Sequence, residues 1–270
     1  MLFACHKGEA SGPPLFFDSI PTAKTVIPII NEGSGIADSK ANPGFLWVEE
    51  DSGNPPQLYL ISHDGTVSKK IYIKGAVNRD WEDMALVSDE LYIADIGDNA
   101  QTSIDYFFYK FTEPTASADT VTDFTTIRFR YPDGSHDAEA FLVDPSTKDI
   151  YIITKRDSPS RIYKLAFPYN SVSYNAVEFV GALPYPGVVS AALSADGKEI
   201  IVKTYTNLYY YQRQTGESLA STIQKNFTIL PYKIEPQGEA VTFAYNNSGI
   251  YTLSEKGFGN SVILYFYQRK

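Results

Sequence analysis

The sequence predicts an all-β chain folded as a single five-bladed β-propeller, its last blade closed by a strand from the N-terminal end. Three observations predict it. Short segments of period-two alternation, bounded by Gly, Pro, Asn and Asp, run along the chain; no window offers a capped helix of three turns; and one pattern recurs five times at intervals of about 50 residues.

In chain order the alternating segments are residues 45–49, 58–62, 70–73, 91–94, 106–111, 126–131, 150–154, 161–166, 199–203, 208–212, 249–253 and 262–267. The recurring pattern is a small or acidic residue, a strand, a turn, a second strand and a polar loop. It opens at Gly33-Ser34-Gly35, Trp81-Glu82-Asp83, Ala138-Glu139-Ala140, Val189-Ser190-Ala191 and Gly238-Glu239-Ala240, whose middle residues are 48, 57, 51 and 49 apart. Four strands per unit at that period mark a propeller, and a large β-sandwich would not produce the period. After Glu239 only 31 residues remain, enough for three strands. The fourth is expected from residues 24–30, which closes the ring and removes an exposed edge. The domain reading is therefore an N-terminal segment, 1–23, followed by one propeller, 24–270.

Composition bounds the partners. The 270 residues are 43% hydrophobic and 14% aromatic, which excludes general disorder. With 32 Asp+Glu against 23 Lys+Arg the net charge is −9, and no basic run is present, which excludes a nucleic-acid partner. No apolar stretch reaches the roughly 18 to 20 residues that cross a bilayer. The one cysteine, Cys5, excludes an intramolecular disulfide and a cysteine zinc site. Leu2-Phe3-Ala4-Cys5 resembles the lipobox of bacterial lipoproteins, with residues 6–14 as a tether. It implies an extracytoplasmic protein, lipid-anchored through Cys5 at a bacterial outer membrane or cell surface; the alternative is an ordinary free cysteine near a terminus. A monomer is expected.

In a propeller the start of each innermost strand and the end of its hairpin partner lie on one face. Ser34, Glu82, Glu139, Ser190 and Glu239 are thus expected to point into one channel mouth. Three carboxylates and two hydroxyls suit Ca²⁺, which takes six to eight oxygens, better than Zn²⁺, which favours His and Cys. The alternative is that these side chains only staple the blades. The returning strands add an acidic rim segment with Asp51, Asp95 and Asp98, and a basic one with Lys155, Arg156, Lys203 and Lys256. That pairing suits a small phosphate-bearing anion.

At the five channel positions the sequence resembles the calcium-activated nucleotidase (apyrase) family, whose five-bladed propellers carry Ca²⁺ on Ser, Glu, Glu, Ser and Glu, one per blade. The matching residues are Ser34, Glu82, Glu139, Ser190 and Glu239, in that order, with further parallels at Asp51-Ser52-Gly53, Lys155-Arg156 and Lys203. The loop Asp95-Ile96-Gly97-Asp98-Asn99 is more acidic than its nucleotidase counterpart. Together with Asp80-Trp81-Glu82-Asp83 and Asp137-Ala138-Glu139-Ala140 it is closer to a group of bacterial exported propellers.

The resemblance implies Ca²⁺-dependent hydrolysis of a phosphate ester or anhydride. Lys155, Arg156 and Lys203 would neutralise phosphate, and Asp51, Asp95 or Asp98 would orient or deprotonate the attacking water. A non-catalytic propeller with a structural ion, binding a ligand or partner at its rim, is the competing expectation. A glycan-acting propeller is a third, requiring two carboxylates about 5 to 9.5 Å apart.

Overall fold

The computed structural model describes residues 16–270, and the Leu2–Cys5 sequence with its tether lies outside them. The described chain is all-β and forms five sheets arranged as the blades of a propeller. An N-terminal strand β1 (Thr22–Thr25) is followed by blade one: β2 (Gly33–Asp38), β3 (Phe45–Glu50), β4 (Gln57–Ser62) and β5 (Val67–Ile73). Blade two begins with β6 (Trp81–Val87), β7 (Glu90–Asp95) and β8 (Tyr106–Thr112). The chain then returns to the outer edge of blade one as β9 (Thr120–Val121), parallel to β5, before completing blade two with β10 (Thr125–Arg130). Blade three is β11 (Ala138–Val143), β12 (Ile150–Thr154) and β13 (Arg161–Leu165); β14 (Asn175–Ala176) visits the edge of blade two, and β15 (Glu178–Ala182) finishes blade three. Blade four is β16 (Val188–Leu193), β17 (Glu199–Thr204), β18 (Leu208–Gln212), a five-residue helix α1 (Leu219–Ile223) capped by Ser218, and β19 (Thr228–Leu230). Blade five is β20 (Ala240–Phe243), β21 (Gly249–Leu253) and β22 (Ile263–Gln268), with β1 as its outer strand.

The excursion through β9 explains why the second repeat is the longest. It is pinned by Glu113, whose carboxylate accepts bonds from Trp47 Nε1 (2.9 Å), Ser39 Oγ (2.5 Å) and the Ala41 amide (2.9 Å). The closing strand differs from the expected residues 24–30. Thr22 to Thr25 pair with Phe266 to Ile263, but from Ile27 the chain bonds to blade one, where the Ile27 amide donates to Gly65 O and the Val67 amide to Ile27 O. Pro28, lacking a backbone donor, cannot continue the ladder. Packing also begins before residue 24: Phe17 is buried against Tyr210 and Phe243 and bridges Arg269.

The core consists of five apolar clusters, each between adjacent blades. Successive strand residues serve opposite neighbours, as period two requires. Trp47 packs with Trp81 of blade two, whereas Val48 packs with Leu264 of blade five. The innermost strands β2, β6, β11, β16 and β20 form a closed ring of neighbours around the channel.

Candidate metal centre

Four of the five innermost strands carry a β-bulge at the channel entrance. The extra residue is Ser34 in β2, Glu82 in β6, Glu139 in β11 and Val189 in β16. A bulge re-aims the side chain it holds, and here it turns Ser34, Glu82 and Glu139 out of the blade. Glu239 stands just before β20. Ser190 is in the next register, equivalent to Gly35, Asp83 and Ala140, so the expectation of five equivalent positions needs correction. Its hydroxyl donates to Asp83 Oδ1 at 3.2 Å and accepts the Val241 amide at 3.3 Å, one layer below the carboxylates.

Asp83 is fully buried in that layer and spans the channel. It accepts bonds from its neighbour Met84, from Ser190 and Ala191 of blade four and, more weakly, from the Phe141 amide of blade three. Beyond it, the later halves of the inner strands enclose a cavity of about 240 Å³ with Met84, Phe141, Ala191 and Val241 in its wall, at the channel end away from the carboxylates. Glu49 of β3 is also fully buried, folded over Gly35, and among the described residues neither of its oxygens has a hydrogen-bond partner. Burial, then the charges of Asp51 and Asp83, push its pKa well above the carboxylate range.

The entrance layer gathers more carboxylates than the repeat alone predicts. Asp51, Asp80 and Glu82 place one oxygen each within 4.8 Å of one another, and so do Glu82, Asp137 and Glu139. Asp80 and Asp137 each stand two residues before a bulge glutamate, and this repeated Asp-x-Glu is the signal that marks them. Glu82 and Glu139 are held well above the ordinary range, first by burial; Glu139 then adds to the effect on Glu82, while on Glu139 the attraction of Lys155 opposes the repulsion of Glu239. Asp51, partly buried beside Asp80, is raised to about 7 by burial, against the bond from the Ser52 amide.

Gly97 makes this crowding possible. A Cβ there would sit 2.5 Å from Asp80 Oδ2 and closer still to Glu82 Oε1. Only glycine lets the loop backbone approach the two carboxylates.

The basic residues are distributed differently from the expected rim. Lys155 Nζ bonds Glu139 and the Tyr205 hydroxyl (3.1 Å) and lies 3.8 Å from Glu239, while Tyr205 in turn donates to Glu239. Burial lowers the pKa of Lys155, but Glu139 and Glu239 outweigh it and hold the ammonium charged. Arg156, largely exposed, pairs its Nε with Asp137 at 2.7 Å. Lys203 does not face the mouth. It is fully buried, bonded to Tyr232 and Gly238 O and 3.9 Å from Glu235, and burial lowers it to about 8.

Two of the three expected water-activating carboxylates are committed elsewhere. Asp98 accepts the Thr102 and Ser103 amides and the Tyr106 hydroxyl, which bring its pKa below the ordinary value although burial acts the other way. Asp95 is buried under Arg79 (3.3 Å) and accepts the Asp80 amide; burial raises it to about 6. Asp51 is the one that stands in the carboxylate cluster. Ser34 donates to Glu239 at 3.4 Å.

These donors fit a hard cation. All are oxygens, Glu139 Oε2 is buried without a hydrogen-bond partner among the described residues, and the bare Cα of Gly97 leaves Glu82 and Asp80 their position. Ser34 and Glu239, and through them Tyr205, complete the wall.

No family model matches the chain, and no curated protein matches it. Solved structures share its fold. An auxiliary nutrient binding protein from Bacteroides thetaiotaomicron matches over 94% of this chain and 73% of its own, at 6% identity and a TM-score of 0.50. The Cps50 (Swd1) β-propeller domain of Myceliophteria thermophila covers 92% of this chain and all of its own, at 8% identity and a TM-score of 0.47. A luciferin-regenerating enzyme covers 90% and 78% at 9% identity and a TM-score of 0.47. At 6% identity the likeness to the nutrient binding protein concerns the fold alone, and the five blades are those of the chain's own five sheets.

Proposed function

We propose that the protein is a Ca²⁺-dependent phosphohydrolase, acting at the channel mouth on nucleotides or other small phosphate esters. The observation that carries this reading is the meeting of Glu82, Asp137 and Glu139 within 4.8 Å, all buried, with Glu139 Oε2 lacking a hydrogen-bond partner among the described residues. Arg156 and Lys155 meet Asp137 and Glu139, but among the described residues Glu82 has no cation and Glu139 Oε2 no hydrogen bond, and a hard cation is the group that satisfies several buried carboxylates at once. Glu82, Glu139 and Asp137 would hold it, with Ser34 and Glu239 beside them. When bound, Ca²⁺ supplies positive charge against phosphate oxygens.

The remaining roles belong to the chain's own side chains. Arg156, exposed at the mouth and bonded to Asp137 and Asn99, offers the guanidinium that would pair with phosphate. Lys155 holds Glu139 and Glu239 in place, and Lys203 braces blades four and five from within. Asp51 stands with Asp80 and Glu82 in the carboxylate cluster, where it would orient the attacking water. The reading includes export with a lipid at Cys5, which radiolabelled palmitate incorporation in a bacterial host would test.

Release of inorganic phosphate from nucleoside di- and triphosphates and from p-nitrophenyl phosphate, in Ca²⁺ and in chelator, tests the activity. Turnover only with Ca²⁺ is expected. Arg156→Ala should raise KM, and Asp51→Asn should lower kcat. No release from any of these substrates overturns the enzymatic reading.

A further inference from the structure

Glu82 is the common member of the two carboxylate groups, Asp51-Asp80-Glu82 and Glu82-Asp137-Glu139. The groups differ in counter-charge. Arg156 pairs with Asp137 and Lys155 with Glu139, so the second group already has two cations against it. Among the described residues no lysine or arginine forms an ion pair with Asp51, Asp80 or Glu82, and Arg79, next to Asp80 in the chain, is turned to Asp95. Glu82 is only 4% exposed, and its carboxylate receives no hydrogen bond from any described residue. The missing Gly97 side chain leaves Glu82 Oε1 and Asp80 Oδ2 side by side against bare backbone.

We propose that Asp51, Asp80 and Glu82 form a second divalent-cation site, so that the mouth holds two oxygen-ligated cations bridged by Glu82. The inference rests on the proposed cation at Glu82, Asp137 and Glu139 and deepens it, with Asp51 a ligand of the second ion beside the attacking water. Oxygen donors alone select hard ions such as Ca²⁺ or Mn²⁺ over Zn²⁺. Carboxylate-bridged ion pairs suit phosphoryl chemistry, in which the attacking and the leaving oxygen both carry charge.

Calcium titration of the chelator-stripped full chain by calorimetry tests this, with the near-ultraviolet circular dichroism of each variant as the check on folding. Two ions per chain are expected. Asp80→Asn, or Asp51→Asn should that variant misfold, removes one of them, Glu139→Gln removes the other, and Glu82→Gln weakens both at least tenfold. Mn²⁺ in place of Ca²⁺ should give an exchange-coupled electron paramagnetic resonance signal. One ion, lost in Glu139→Gln and kept in Asp80→Asn, overturns the second site and leaves the first. One ion with the opposite pattern overturns the bridged pair and the first site together. No binding overturns both.

Discussion

Ser190 of blade four donates its hydroxyl to Asp83 of blade two at 3.2 Å, across the centre of the channel. With the Ala191 and Phe141 amides on the same carboxylate, Asp83 joins three blades through groups that have no access to water. Removing one buried acceptor leaves several donors unpaired, each at about 1 to 3 kcal/mol. Asp83→Ala should therefore lower stability by about 3 kcal/mol or more in urea denaturation, with Asp83→Asn losing less. An unchanged midpoint for Asp83→Ala would show that the layer is not a structural tie.

Gly97→Ala acts on the layer above. The added methyl meets the ends of two flexible side chains, Glu82 and Asp80, so the carboxylates move and the backbone need not. Melting in chelator should change by less than about 1 kcal/mol, while calcium affinity falls at least tenfold. Equal calcium binding in the two proteins would mean that these carboxylates are not ligands.

The metal-free protein should lose stability as pH rises. Asp51 (to about 7), Asp95 (to about 6) and Glu255 (to about 9) are all raised, in each case chiefly by burial. A raised carboxyl holds its proton in the folded state after the unfolded chain has released it. Its contribution is complete below about pH 4 and is lost as pH climbs through the folded value. Melting temperatures in chelator should therefore decline between about pH 5 and 9, and millimolar Ca²⁺ should flatten the decline. A rise with pH in chelator would contradict the burial of these groups.

Lys203→Met should destabilise the protein by about 3 to 5 kcal/mol, because it leaves Glu235 buried beside Tyr232 without its cation. The pair Lys203→Met with Glu235→Gln should recover most of the loss. Chemical denaturation of the single and double variants measures the coupling; additive effects would mean that Lys203 and Glu235 do not interact.

The sequence by itself determined the fold class, the number of blades, and the outline of most strands, because alternation and a period near 50 are local properties of the chain. It also marked Glu82, Glu139 and Glu239 as one set. Its outer strands, such as Glu178–Ala182 and Thr228–Leu230, were not legible, since edge strands are short and half polar and carry little alternation. Tertiary structure decided the register at the channel. Whether Ser190 or Val189 occupies the bulge depends on pairing with Thr204 and Lys203, which no spacing in the chain specifies. It decided which charges are spent: Lys203 and Asp98 look like rim residues in sequence, yet one is enclosed between blades and the other caps its own loop. And it brought Asp51 and Asp80 to Glu82, because loops from adjacent blades converge only once the ring has closed.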